Sequence, residues 1–140
     1  MSSQRQWLLT GKERTMGWYA ASAVMYFQLK NEPQDEFYIW ENVYLLEAPN
    51  GAEARRKAEH FGKLEEGDDD TLTLDGKPAR LVFGGIRKLL TCAPAIGGSS
   101  GDNDIIEDGV EATYNAFTVS SREKLDAFIR GEPVEVLYEE

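Results

Sequence analysis

Gly17-Trp18-Tyr19-Ala20-Ala21-Ser22-Ala23-Val24-Met25-Tyr26-Phe27-Gln28-Leu29 carries no proline and no charge, and it is crowded with aromatic residues. It is too short to cross a membrane, which takes about 20 apolar residues. Phe37-Tyr38-Ile39-Trp40-Glu41-Asn42-Val43-Tyr44-Leu45-Leu46-Glu47-Ala48 answers it with a second β-rich run. Between them Lys30-Asn31-Glu32-Pro33-Gln34-Asp35-Glu36 is a charged turn that lets the chain reverse. The two runs therefore predict a long β-hairpin with aromatic side chains facing across the strands, pairs worth a few tenths to about 1 kcal/mol each. An isolated hairpin is marginal in water, so later parts of the chain must cover it.

The signals that follow alternate between helix and hairpin. Asn50 with Glu53 has capping-box spacing, and Ala54, Ala58 and Phe61 form one apolar stripe, with Gly62 expected just beyond the helix end. Residues 64–70 hold Glu65, Glu66, Asp68, Asp69 and Asp70 and read as a solvated loop. Residues 71–74 alternate, Asp75-Gly76 is a strong hairpin turn, and residues 79–83 return, with a bulge expected at Gly84-Gly85 before strand resumes over 86–90. Residues 91–108 are rich in glycine, serine and acids and read as a flexible excursion. Residues 110–119 form another strand, with Ala112, Tyr114, Ala116 and Thr118 on one side. Ser120 with Glu123 caps a second helix striped by Leu125, Phe128 and Ile129, and Gly131 and Pro133 end it. Val134, Val136 and Tyr138 suggest a final edge strand.

The order β-β-α-β-β-loop-β-α-β predicts an α+β fold, a mostly antiparallel sheet with two helices packed on it. At 140 residues the chain is expected to be one domain over 16–140, with 1–15 an extension that is loose or docks through Trp7.

The Gly17-Trp18-Tyr19-Ala20-Ala21 opening, the run into Leu45-Leu46-Glu47-Ala48 and the Ala/Glu-rich helix from Asn50 resemble a bacterial family of small cytoplasmic proteins, catalogued as a domain of unknown function. The resemblance covers residues 17–90 and implies the fold; it carries no activity and no functional residues. The N-terminal extension and the excursion after Thr91 depart from the family's compact form.

A formal net charge of −10 disfavours nucleic acid and anionic membrane surfaces, both of which need clustered cations. It suits solubility and can steer a basic partner. Cys92 is the only cysteine, so no internal disulfide or cysteine-rich metal site forms, and no secretory leader pattern is present. A reducing, cytoplasmic setting is the expectation.

Calcium-loop spacing fails from Asp68, where the fifth and sixth positions are Leu72 and Thr73. It fails from Asp102, where they are Ile106 and Glu107. No metal and no cofactor is expected. His60 is the only histidine, at the end of a helix whose dipole it suits. A Cys92–His60 pair would be the nucleophile and base, but Cys92 has only Arg87 and Lys88 as basic neighbours in the preceding strand. Gly97-Gly98-Ser99-Ser100-Gly101 lacks the lysine and following helix of a phosphate loop.

The rings are the most specific functional hint. Taking even-numbered positions together, Trp18, Tyr26, Tyr38, Trp40 and Tyr44 make the face richer in amphipathic rings, which suit partner contacts. The reading is a protein-binding module, of inhibitor or immunity type, meeting a basic protein partner or a second copy of itself. Its contact residues would be Tyr38, Trp40 and Tyr44 with the acids Asp68, Asp69, Asp70, Asp102, Asp104 and Asp108. The alternative is a small enzyme with a carboxylate-based site drawn from the acids of 64–75 and 102–111.

Overall fold

The computed structural model describes residues 16–92 and 107–139. At its centre β1 (Gly17–Leu29) and β2 (Phe37–Ala48) pair antiparallel, from Gly17 opposite Ala48 to Tyr26 opposite Ile39. β4 (Lys77–Cys92) flanks β1 on the other side, and β5 (Val110–Val119) flanks β2. Short β3 (Thr73–Leu74) and β6 (Leu137–Glu139) complete a six-stranded sheet in the order β3-β4-β1-β2-β5-β6, antiparallel throughout. With α1 (Gly51–Leu64) and α2 (Arg122–Arg130), the fold is α+β and mostly sheet.

The pairing register decides what each helix covers. Paired positions in β1 and β2 sum to 65, so even-numbered residues of one strand share a face with odd-numbered residues of the other. Trp18 and Tyr26 thus lie on the opposite face from Tyr38, Trp40 and Tyr44. The expected single even-numbered face is corrected here, because parity carries across a pair only when the paired numbers sum to an even value.

One face carries Val24, Tyr26, Phe37, Ile39 and Val119, and α2 closes over them with Leu125 and Phe128. The other carries Ala21, Ala23, Tyr44 and Leu46, and α1 lies on them through Ala58, with Phe61 and Phe83 alongside. Small residues on both sides let α1 approach closely; Ala21, Ala23, Ala54 and Ala58 are fully buried. The helices therefore sit on opposite faces. They also sit towards opposite ends, α1 near the open end of the hairpin and α2 near its turn. Among the described residues, two quarters of the sheet carry no helix.

Local signals behave as their chemistry requires, with a few shifts. The Asn50 side chain accepts from Glu53 N at 2.9 Å, and Asp75 and Gly76 turn with φ of 53° and 80°. Register shifts in β4 fall at Gly84 and Arg87, the first at the expected bulge. The second helix is capped by Ser121, which accepts from Lys124 N at 3.1 Å, one residue later than Ser120. Thr91 and Cys92 belong to β4, which corrects the start of the excursion; residues 93–106 lie outside the described residues, as do 1–15. Only Leu137–Glu139 of the expected terminal strand pairs with β5.

Gly62 does not end α1, which runs on to Leu64 with Glu65 as its cap. A Cβ at Gly62 would stand 2.4 Å from the Phe83 ring, so the glycine is there for close packing. Gly→Ala inside a helix ordinarily gains up to about 1 kcal/mol. Overpacking typically costs about 1–3 kcal/mol, so Gly62→Ala is expected to fail to stabilise and to lower the denaturation midpoint. A raised midpoint would show that Phe83 yields without cost.

Candidate functional site

The quarter of the α1 face beyond α1, near the hairpin turn, is where rings and acids meet. Phe27 and Tyr38 stack at 5.5 Å between centroids, and Trp40 meets Phe27 edge-on at 5.0 Å. Trp40 is also 6.3 Å from Tyr38 and 6.2 Å from Tyr114 on β5. The register explains the row: Tyr38, Trp40 and Asn42 point the same way along β2, and Tyr114 is paired with Asn42. Phe27 is buried beneath, Tyr38 and Trp40 are half-buried, and Tyr114 is 56% exposed. Trp40 Nε1 is buried and donates to no group among the described residues.

Tyr38 also lines a cleft of about 670 Å³ at the turn end of this face, with Leu29, Leu74 and Leu137 as apolar lining. Among the described residues its charged rim is Glu32, Asp35, Glu36, Asp75 and Glu139 against one cation, Lys77, which pairs with Glu32 at 3.2 Å. The turn that forms one wall is fixed by Gln34. Its Nε2 donates to Phe27 O at 2.8 Å, and its Oε1 accepts from Leu29 N at 2.8 Å. Leu137 is 63% exposed and stands opposite Thr118 on the outer strand. An acidic, pre-formed cleft running into a shelf of rings can receive a cationic, extended segment.

At the inner end of the row the chemistry changes. Tyr44 is 3% exposed, covered by α1 with Phe61 6.0 Å away, so its ring is taken out of any exposed surface; the expectation of a contact ring there is corrected. Its hydroxyl has no hydrogen-bond partner among the described residues. Burial, then the charges of Glu65 and Glu111, push its pKa up to about 12. Asn42 lies close enough to oppose this slightly without meeting hydrogen-bond geometry. Partial desolvation of this surface carboxyl, then the charge of Glu65, also raise the Glu111 pKa.

Of the acids singled out from sequence, three serve the fold. Asp68 pairs with Lys30 at 2.7 Å, which holds its carboxyl below the usual range. Asp69 accepts from Thr71 N and Oγ1 at 2.9 and 2.7 Å, with the same effect. Asp108 pairs with Lys57 and accepts from Glu47 N at 2.7 Å. Asp70 is exposed, and Asp102 and Asp104 lie outside the described residues. The acids beside the rings are instead those of the hairpin turn, flanking Pro33 and Gln34. Their signal was their place immediately before Tyr38. Glu65 and Glu111 fall within the acids of 64–75 and 102–111 and Tyr114 on the named side of its strand, but only the β2–β5 register places Glu111 and Tyr114 beside the β2 rings.

Cys92 stands opposite Trp18, on the face away from α1 and its exposed His60, so the two are not brought together. Among the described residues no three of His, Cys, Asp and Glu form a metal-holding group, and no helix is long and apolar enough to cross a membrane.

These features define an α+β protein built on one sheet, with an aromatic and acidic quarter-face that no helix covers among the described residues. The chain belongs to the family described as Domain of unknown function (DUF4288), which matches residues 18–98 and so includes β1, β2, α1, β3 and β4. No curated protein and no solved structure matches it.

Proposed function

We propose that this protein is a binding module that receives a basic, extended segment of a partner protein on the open quarter of the α1 face. An inhibitor or immunity-type role, covering a basic site on a target, is the biological form of this reading. The observation that carries it is the continuity of the Phe27–Tyr38–Trp40–Tyr114 row with the acid-rimmed cleft through one shared residue, Tyr38. Half-buried rings supply apolar area that a partner can desolvate, and the carboxylates supply steering. Glu65 and Glu111 raise the question of carboxylate catalysis, but both are exposed residues, which favours contact over turnover.

The test is kinetic, with a lysine- and arginine-rich peptide as probe. Trp40→Ala is expected to hasten dissociation, with a loss of about 2 kcal/mol or more, roughly thirtyfold, if the ring is an interface anchor. Glu32→Gln/Asp35→Asn/Glu36→Gln is expected to slow association several-fold at low salt, and added salt should mimic it. Asp68→Asn/Asp69→Asn/Asp70→Asn should matter less, because Asp68 and Asp69 are already engaged within the fold. Unchanged rates in the Trp40 and turn variants would overturn the reading. Turnover of a small substrate abolished by Glu111→Gln would replace it with the enzyme.

A further inference from the structure

We infer that the cleft takes the partner segment as one extended strand of about seven residues laid across the sheet, its basic and apolar side chains alternating. This rests on the reading above and names the conformation and the residue pattern of that segment.

The cleft crosses the whole sheet. Leu74 of β3, Lys77 of β4, Leu29 of β1, Tyr38 of β2, Thr118 of β5 and Leu137 of β6 all line it, in the spatial order of the strands. The registers put these side chains on one face. Lys77 is opposite Leu74, and Ala79, two positions along β4, is opposite Leu29. Leu29, odd-numbered on β1, shares a face with even-numbered Tyr38, which pairs with Thr118 as Thr118 pairs with Leu137. Six strands about 4.8 Å apart span about 24 Å, the length of about seven extended residues. A cleft of about 670 Å³ drawn out over that length is narrow, suited to a single extended chain and not to a helix about 10–12 Å across.

The two long sides of the cleft differ. On the side of the hairpin turn stand Asp35 and Glu36, exposed and without a cationic partner among the described residues, since Lys77 pairs with Glu32. On the other side, two positions further along β2 from Tyr38, stands Trp40, 6.3 Å from Tyr38 and 6.2 Å from Tyr114. Successive side chains of an extended chain point to opposite sides. Lysine or arginine at alternate positions therefore meets the carboxylates, while the apolar residues between them meet the rings. A segment that runs across the strands forms no ladder with them, so its side-chain pattern, not backbone pairing, decides whether it binds.

The probe is an end-blocked peptide of about seven residues alternating leucine and lysine, compared by calorimetry with an isomer that holds the same lysines in one block. The alternating peptide is expected to bind the whole chain roughly tenfold more tightly, because the two carry equal charge and only one matches both walls. Leu74→Ser and Leu137→Ser, at opposite edges of the sheet, are each expected to weaken it roughly fivefold. Anything short of loss at both edges overturns the inference; loss at Leu137 alone would point to strand addition on the β6 edge instead. Should Leu74→Ser not fold, Asp75→Asn, in the exposed turn at the same end, takes its place. Equal binding of the two isomers overturns this inference and leaves the basic-partner reading standing. The lysine- and arginine-rich peptide binding while neither isomer does has the same meaning. If none of the three peptides binds, both readings fall.

Discussion

Phe128→Ala is expected to lower the free energy of unfolding by about 3–5 kcal/mol, the range for emptying a packed aromatic site. Phe128 is 4% exposed and fills the space between α2 and the sheet, with the Phe117 ring 5.3 Å away. The Arg87 guanidinium lies over its ring at 4.2 Å and donates to its carbonyl, so one residue holds the helix by packing and by its backbone. Arg87 reaches it because the second register shift in β4 occurs at that residue. Phe61→Ala, on the other helix, should cost less than Phe128→Ala, since Phe61 is only half-buried. Chemical denaturation with an unchanged slope would measure both. A loss below about 1 kcal/mol at Phe128 would mean that α2 is not held by this face.

The hairpin and the helices were legible because their information is local. An uncharged, proline-free run, a charged turn and a second β-rich run predict their own pairing, and Asn50 with Glu53 predicts a cap that the structure contains. What sequence could not supply was the register sum. Whether Trp18 shares a face with Trp40 depends on a single residue of offset, and β1, buried on both faces from Ala21 to Phe27, has no polar–apolar alternation to choose it. The candidate site inherits that gap. Tyr38 and Trp40 were recognisable as amphipathic rings, but the burial of Tyr44 depends on where α1 crosses. The pairing of Asp68 with Lys30 depends on a loop meeting the hairpin turn. Acid runs in a sequence do not distinguish carboxylates that hold a fold together from carboxylates left uncompensated. Here Asp68 and Asp108 are of the first kind, and Glu65 and Glu111, a few residues away in the same runs, have no cationic partner among the described residues.

The same register yields a sharp contrast between two adjacent leucines. Leu46 points to the α1 face and is fully buried, whereas Leu45 points to the α2 face at the end that α2 does not reach and is half-buried. Leu46→Ala is expected to cost about 2–5 kcal/mol, and Leu45→Ala distinctly less. A slip of one residue between β1 and β2 would exchange the two results, so the pair tests the register directly. Since Leu46 belongs to the core under α1 and Phe128 to the core under α2, the sheet itself separates them. Combining Leu46→Ala with Phe128→Ala would consume most of the roughly 5–15 kcal/mol that stabilises an ordinary domain, so the milder Phe128→Leu keeps the double variant measurable. The losses of Leu46→Ala and Phe128→Leu are expected to add within about 0.5 kcal/mol, as they do for sites without shared partners. A larger coupling would show that the two cores respond as one, transmitting strain through β1 and β2, and the open quarter-face lies on those same strands.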